Sequence, residues 1–563
     1  MGFELPDGFD IKTSEEINFG INEFGDIARN KYFEPKNSYF EYPQRTWPDK
    51  KIEEAPTWCS VDLRDGNQSL LNPMSTLEKL YVFKILVEMG YKEIEVGFPA
   101  ASEPDFEFIR ALINHKLIPD DVTIQVLCQC REDLVEKTRK SLEGAKNVIV
   151  HIYNSTSEVQ RELVFKHGEH ENIKMPVKGV DLVKEYFKDF SGNLRFQYSP
   201  ESFTGTEMEY ALDVTNAVIE TWGGQSIIIN LPATVENCTP NVFADKVEFM
   251  KDSILNFTKG EIDVIISLHT HRDRGTGEAA SELGMLAGGT RIEGCNLDFG
   301  ERCGNTNLVT LAMNMFSQGI PPGLDFGGVI EKLNTLSKIT NTPIGERQPY
   351  VGKWTHTAFS GSHQDAIRKG FIASKGKGKW ENPYLPIDPT DIGMEYEPII
   401  VNSQSGKGGA AYIIEEAGYI IPKAMHSQIG LLIQKTTEIK GEALTKDEVV
   451  EIFRKNFIKE DGEIEMNGFE YDARKNIGLF EQFELYIKEK HNIDFETVNE
   501  AQQAMGEGKD AMSCAFVHIQ MNGNDYFGIG EDVDIAKSPR KALISALNIA
   551  LKEKKIRMCG IIV

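Results

Sequence analysis

The chain has 563 residues, 40% of them hydrophobic, and a formal net charge of −25. A chain of this length buries sizeable cores in roughly two to four domains. Its acidic balance excludes a nucleic-acid backbone as partner, because that requires a basic surface, and no apolar stretch reaches the roughly 18–20 residues that cross a bilayer.

In chain order, residues 1–50 are polar, aromatic and dotted with proline, and they read as an extended N-terminal arm without a core of its own. From there the pattern changes. Short apolar runs recur at 58–63, 93–97, 123–127, 147–152, 194–198, 226–230, 264–269 and 291–294. Segments with helical periodicity lie between them, among them 76–89, 132–143, 180–190, 207–221, 242–257 and 278–287. Strand and helix alternating through eight runs predict an α/β fold, a (β/α)8 TIM barrel over 51–335. The alternative, a doubly wound open sheet, would carry a Gly-rich phosphate loop after an early strand, and none follows the first run.

The barrel pattern then stops. A linker subdomain is expected over 336–430, a helical subdomain over 431–487 and a small C-terminal α/β module over 488–563. Within the linker, residues 354–412 are rich in Gly, Ser, Lys, Pro and aromatics, and read as a long, ordered but irregular segment. Residues 403–409 lack the spacing of a phosphate loop and read as a Gly-rich turn. Helical segments are expected at 423–436 and 445–457. In the last module Ala515, Val517, Ile519 and Met521 alternate as one strand face, Asn522-Gly523 marks a turn, and Ser538-Pro539 opens a helix. Its apolar stripe is Leu543, Ala546, Leu547, Ala550 and Leu551.

The eight cysteines are scattered. Cys128-Gln129-Cys130 is the one close pair, and without a second pair it reads as reduced packing residues in a cytoplasmic protein. The N-terminus has no signal-peptide pattern, and Pro6 stands where a myristoylation motif needs Ser or Thr. The acidic total favours an enzyme that holds anionic substrates with local basic residues.

A barrel places its chemistry just after the strands, and the polar residues of this chain cluster there. The first run leads into Arg64 and Asp65, the second holds Glu95, and the fourth carries His151, Tyr153 and Asn154. The fifth leads into Ser199-Pro200-Glu201, the sixth into Asn230 and Thr234, and the segment after the eighth contains 298–305. The seventh run, Val264-Ile265-Ile266-Ser267-Leu268, ends in His269-Thr270-His271. Side chains two apart on a strand share a face, so the imidazoles aim at one point, a start on a divalent metal site. The charged segment 58–68 supplies the oxygen ligand.

These motifs carry a family resemblance. Arg45-Thr46-Trp47-Pro48, residues 58–68, Glu95-Val96-Gly97-Phe98-Pro99, residues 199–207 and 230–236, and, beyond the barrel, 359–365, 383–389 and 401–409 resemble the 2-isopropylmalate synthase family of metal-dependent Claisen-condensing barrels, which includes homocitrate and citramalate synthases. The resemblance runs from about residue 40 to about 435. It implies condensation of acetyl-CoA with a 2-keto acid, 2-ketoisovalerate foremost, on a divalent metal (Mg2+, Mn2+ or Zn2+) that polarises the keto carbon. It implies Asp65, His269, His271 and Asn305 as ligands and Arg64 facing the developing oxyanion. It implies Glu201 and His363 in acid–base roles, Tyr384 as a supporting donor, and His151, Ser199 and Thr234 in the substrate pocket. His363 and Tyr384 would come from the linker of a partner subunit, in a homodimer with shared active sites. A related synthase acting on another keto acid or acyl-CoA, an aldolase or lyase of the same barrel family, and a non-catalytic regulator on a decayed scaffold are the alternatives.

Two departures stand out. Where the family commonly reads His-Pro-His-Asn-Asp, this chain has His269-Thr270-His271-Arg272-Asp273, and where it reads Leu-Phe-Gly-Asn-Gly-Glu-Arg, this chain has Asn296-Leu297-Asp298-Phe299-Gly300-Glu301-Arg302. Arg272, Asp298 and Phe299 are therefore expected to alter the acceptor or thioester preference. The C-terminal strand, turn and helix resemble the second half of the family's leucine-binding domain, while 460–505 matches the first half poorly, which leaves leucine feedback and a dimerisation role alone both open there.

Overall fold

The computed structural model describes residues 12, 14–224, 226–374, 376–396, 407–506 and 511–558. Eight parallel strands close into a barrel: β1 (Thr57–Ser60), β2 (Glu93–Gly97), β3 (Thr123–Gln129), β4 (Asn147–Ser155), β5 (Asn193–Glu201), β6 (Ser226–Ala233), β7 (Asp263–Thr270) and β8 (Arg291–Gly294), with β8 returning to β1. Helices follow each strand, including Glu103–Asn114 after β2 and Leu308–Ser317 after β8. The barrel expectation holds.

Its boundaries differ for physical reasons. β1 ends at Ser60 and passes into a π-helical turn, Asp62–Gly66. The buried Asp62 carboxylate accepts from Ser60 Oγ (2.6 Å) and Asn296 Nδ2 (2.8 Å), which draws the chain out of the sheet. β4 and β5 run past their apolar cores because the polar ends still pair, Tyr153 with Ser199 and Ser155 with Glu201. The arm is not wholly extended, since Ser14–Lys31 is helical. Nor is the segment 354–412 irregular throughout, because Gly361–Ser374 and Lys407–Glu416 are helices. The expected Gly-rich turn at 403–409 lies outside the described residues over 403–406, and from Lys407 it is helical.

The apolar strand residues Ile94, Ile124, Val126, Val150, Phe196, Ile229, Leu268 and Ile292 are fully buried. They alternate with buried polar residues, and the polar set fills the barrel. Arg291 has no exposed surface. Its guanidinium donates to Glu93 (2.6 Å), Glu293 (2.8 Å), Gln125 (2.8 Å) and Ser267 (2.8 Å). Gln125 and Gln197 amides also reach Glu293, at 2.9 and 2.8 Å. TIM barrels ordinarily fill this space with branched apolar layers.

The arm segment before β1 docks on the helix Pro240–Thr258. Glu248 accepts from Thr46 N (2.7 Å), Thr46 Oγ1 (2.6 Å) and Lys50 Nζ (2.8 Å), while Asp245 accepts from Trp47 Nε1 (2.7 Å) and Arg45 (2.8 Å). Burial opposes ionisation of Glu248, but the donors from Lys50, Thr46 and Trp47 prevail and hold its pKa down to about 2, against an ordinary 4.5. A depressed carboxylate stabilises the fold fully above its unfolded value and loses that effect as pH falls through the folded one. Glu248→Gln is therefore expected to cost about 2–3 kcal/mol at pH 7. The gap to wild type should close between about pH 4.5 and 2, as read by thermal melts across pH.

Contacts divide the chain after Gly352 into two units. The second contains a three-stranded antiparallel sheet ordered β11–β10–β9, formed by β9 (Glu496–Met505), β10 (Met512–Met521) and β11 (Asn524–Asp532). As expected, Ala515, Val517, Ile519 and Met521 share a face, which packs on Leu543, Ala546 and Leu547 of the helix Ser538–Met558. Cys514 and Phe516 face the other way, onto Ile413, Ile429 and Phe453. β9 carries no strand signature in the sequence, because Glu496, Glu500 and their neighbours leave it without an apolar alternation. No helix among the described residues is long and apolar enough to cross a membrane.

Candidate active site

Asp65 sits in the π-helical turn after β1, and His269 lies near the end of β7, one residue before the chain leaves the sheet. His271 pairs with Asn305 through an isolated bridge, so the segment after β7 and the loop after β8 lie side by side. The imidazoles stand with ring centres 5.3 Å apart. His269 Nε2 lies 3.5 Å and His271 Nε2 3.7 Å from Asp65 Oδ2. The ligand atoms of Asp65, His269 and His271 all fall within 4.8 Å of one another, the sole such group of three His, Cys, Asp or Glu side chains found among the described residues. Cys128 and Cys130 are free thiols.

His269 is oriented from below. Its Nδ1 donates to Glu293 Oε2 at 2.8 Å, which turns Nε2 toward Asp65, the carboxylate–histidine arrangement typical of metal ligands. Asn305 Nδ2 donates to Asp65 at 2.8 Å, and Asn305 Oδ1 is buried with no hydrogen-bond partner among the described residues. A buried carbonyl oxygen left unpaired is costly, and a cation relieves it. Two imidazoles, a carboxylate and a spare amide oxygen fit a divalent ion.

Charge at the site follows from its neighbours. Burial would raise Asp65, but Arg64 and the two histidines hold it well below the usual carboxylate range. Burial would lower His269, but the Asp65 and Glu293 carboxylates lift it to about 9. His271 falls to about 4, through burial and the neighbouring His269 charge. Arg64 pairs with Asp65 (2.5 Å) and with Glu95.

A cleft of about 330 Å³ opens over these groups, lined in part by Arg64, His151, Ser199, Glu201, Thr234 and Arg302. His151 is fixed between Glu95 Oε1 (2.9 Å) and Ser199 Oγ (2.7 Å), and Asn230 Nδ2 donates to the same hydroxyl at 3.0 Å. Ser155 Oγ donates to Glu201. Thr234 Oγ1 accepts from Ser202 N at 2.9 Å, tying two loops at the rim. The structure thus gathers Arg64, Asp65, His151, Ser199, Glu201, Thr234, His269, His271 and Asn305. His363 and Tyr384 belong to the second unit, where both are exposed and their rings stack 4.0 Å apart.

Sequence reasoning missed Glu293, Gln125, Gln197 and Arg291, the layer beneath the ligands. A signal existed: a polar residue at every second position of otherwise apolar strands, as in Glu93/Glu95 and Arg291/Glu293. Arg272 Nη1 meets Asp298 Oδ1 at 2.5 Å, and neither residue is among those lining the cleft. Phe299 is 4% exposed and packs where a Cβ on Gly66 would stand.

A family model described as HMGL-like matches residues 55–336. The closed barrel and its histidine–aspartate group define a metal-dependent barrel enzyme of that class. A second model, described as alpha-isopropylmalate synthase, post-catalytic domain-like, matches residues 354–415. The 2-isopropylmalate synthase of Clostridium acetobutylicum is 44% identical over 554 residues, spanning 91% of this chain and 99% of its own. That of Corynebacterium efficiens is 43% identical over 94% of this chain and 98% of its own, and that of an Arthrobacter species 44% identical over 91% and 95%. The chain belongs to the 2-isopropylmalate synthase family.

Proposed function

We propose that this protein condenses acetyl-CoA with 2-ketoisovalerate and water to give 2-isopropylmalate and free CoA, in leucine biosynthesis. The observation that carries this is the convergence of Asp65, His269, His271 and the unpaired Asn305 oxygen beside Arg64 in a cleft, in a chain matched along nearly its whole length by curated synthases. With Arg272 and Asp298 turned onto each other, the cleft keeps the family's acceptor.

Asp65, His269, His271 and Asn305 hold the divalent ion, Mg2+, Mn2+ or Zn2+. When bound, it supplies Lewis-acid polarisation of the keto acid. Arg64, kept charged by Asp65 and Glu95, faces the oxyanion that develops as the new carbon–carbon bond forms. A base takes a methyl proton from acetyl-CoA, the carbanion equivalent adds to the keto carbon, and the alkoxide takes up a proton. Water then cleaves the thioester and CoA leaves as the thiol. Glu201 and His363 carry the proton transfers, and Tyr384 supports His363 by stacking on it. His151, Ser199 and Thr234 bind the keto acid.

His363 and Tyr384 act on the barrel of a partner subunit, in a cytoplasmic homodimer. The working domains are the arm 1–50, the catalytic barrel 51–335, the linker 336–430, the helical subdomain 431–487 and the regulatory-like module 488–563. The test is thiol release from acetyl-CoA across a panel of 2-keto acids, with and without chelator. The expected result is preference for 2-ketoisovalerate, loss of turnover with chelator, and recovery on adding back one of the three ions. Preference for another keto acid, or full activity in chelator, would overturn the assignment. A lyase of the same barrel class would instead release acetyl-CoA from a preformed product.

A further inference from the structure

Two of the proposed metal ligands sit on segments with little regular structure. His271 follows β7, and Asn305 ends the loop 298–305. That loop is conformationally demanding. Gly300 (φ +136°), Arg302 (φ +55°) and Gly304 (φ +93°) all occupy the left-handed region. For arginine such a backbone costs about 1 kcal/mol or more and persists only where the surroundings enforce it. A Cβ on Gly300 would come within 2.3 Å of Asn305 Nδ2, so the loop folds directly over the ligand it carries.

Arg272 is the first residue after His271, and two interactions run from it to the segment carrying Asn305, with a third to Glu278 on the helix Gly277–Leu286. Its backbone N–H donates to Gly304 O at 3.1 Å. Its Nη1 pairs with Asp298 Oδ1 at 2.5 Å, and its Nε lies 3.0 Å from Glu278 Oε1. The two carboxylates then reach onward. Asp298 Oδ1 accepts from Asn307 Nδ2 at 2.9 Å, and Glu278 Oε1 accepts from Asn307 N at 3.1 Å. Arg272 and Asn307 are thus joined through two shared oxygens, with Asn305 two residues away. Arg272 and Asp298 are also two of the positions at which this chain leaves the common family pattern, one with a cation and the other with an anion.

We propose that Arg272, Asp298 and Glu278 form an ionic clasp that positions His271 and Asn305 for the metal. The inference rests on the metal site assigned above. Arg272 is a positioning residue that acts through the loop, because its side chain turns away from the cleft onto Asp298 and Glu278.

The experiment measures Mn2+ affinity of the full-length protein by titration calorimetry, for wild type, Arg272→Ala, Asp298→Ala and the double variant, together with the melting temperature of each without metal. Each single variant is expected to bind Mn2+ about tenfold more weakly, the lower end of what outer-shell partners contribute. The double variant should lose less than the sum of the two singles, since the Arg272–Asp298 pair is broken in both. Wild-type affinity in both singles, or additive losses in the double, would overturn the clasp. A purely structural role would lower the melting temperature and leave affinity unchanged, and that result would overturn it as well. Should Arg272→Ala not fold, Asp298→Asn applies the same test to the ion pair. Failure of the wild type to bind Mn2+, Mg2+ or Zn2+ would instead sink the metal site itself.

Discussion

Replacing Asp65 with asparagine is expected to lower turnover by about 10³-fold or more and to abolish retention of a divalent ion. The change is nearly isosteric, so the barrel should keep its fold. What it removes is the one anionic oxygen shared by His269, His271 and Asn305. It also removes one of the two carboxylates that hold Arg64. Losing a single preorganised electrostatic contact costs about 10²–10³ in turnover, and here ion and guanidinium are disturbed together. With Asp65 neutral, the raised pKa of His269 should fall toward its ordinary value, because Asp65 is one of the two carboxylates that lift it to about 9. Thiol release under saturating substrates, metal content after dialysis and NMR titration of the histidines check the three parts. Turnover within tenfold of wild type would remove Asp65 from the metal-binding set.

Arg291→Leu is expected to destabilise the barrel by about 3–5 kcal/mol, the cost of stripping one partner from a buried ionic cluster. Arg291 is wholly enclosed, and its removal leaves Glu293 with only His269 and Glu93 with only Arg195. Burial would then push both carboxyls upward, and protons would enter the barrel interior. Glu293 also orients His269, so a variant that folds should bind metal more weakly as well. Arg291→Lys should rescue little, because one ammonium cannot reproduce a fork that serves four acceptors. A melting temperature lowered by roughly 10 °C is expected. A shift below 2 °C would show that the cluster contributes little to holding the strands.

Much of this was legible in the sequence because it depends on local periodicity. Strands buried against helices must be apolar in short runs, and eight such runs spaced by amphipathic helices leave few folds available. His269 and His271 were legible for the same reason, two positions apart at the end of a buried strand. Helix Gly361–Ser374 and β9 escaped notice because neither has a strong apolar period: the helix mixes glycine, serine and charge, and β9 is a largely exposed edge strand. The direction of the Arg272 side chain was not legible, because proximity in sequence to a ligand says nothing about which way a long side chain turns.

By itself the sequence determined the strand–helix alternation, the family and the chemical types of the site residues, since each is written in composition and spacing along one chain. Only the tertiary structure decided that Glu293 stands behind His269, that Asn305 presents an unpaired oxygen, and that Arg272 answers Asp298. Those relations join residues 24 to 240 positions apart or across separate loops, and Coulomb and hydrogen-bond energies depend on distance in space, which closure of the barrel sets and local pattern does not.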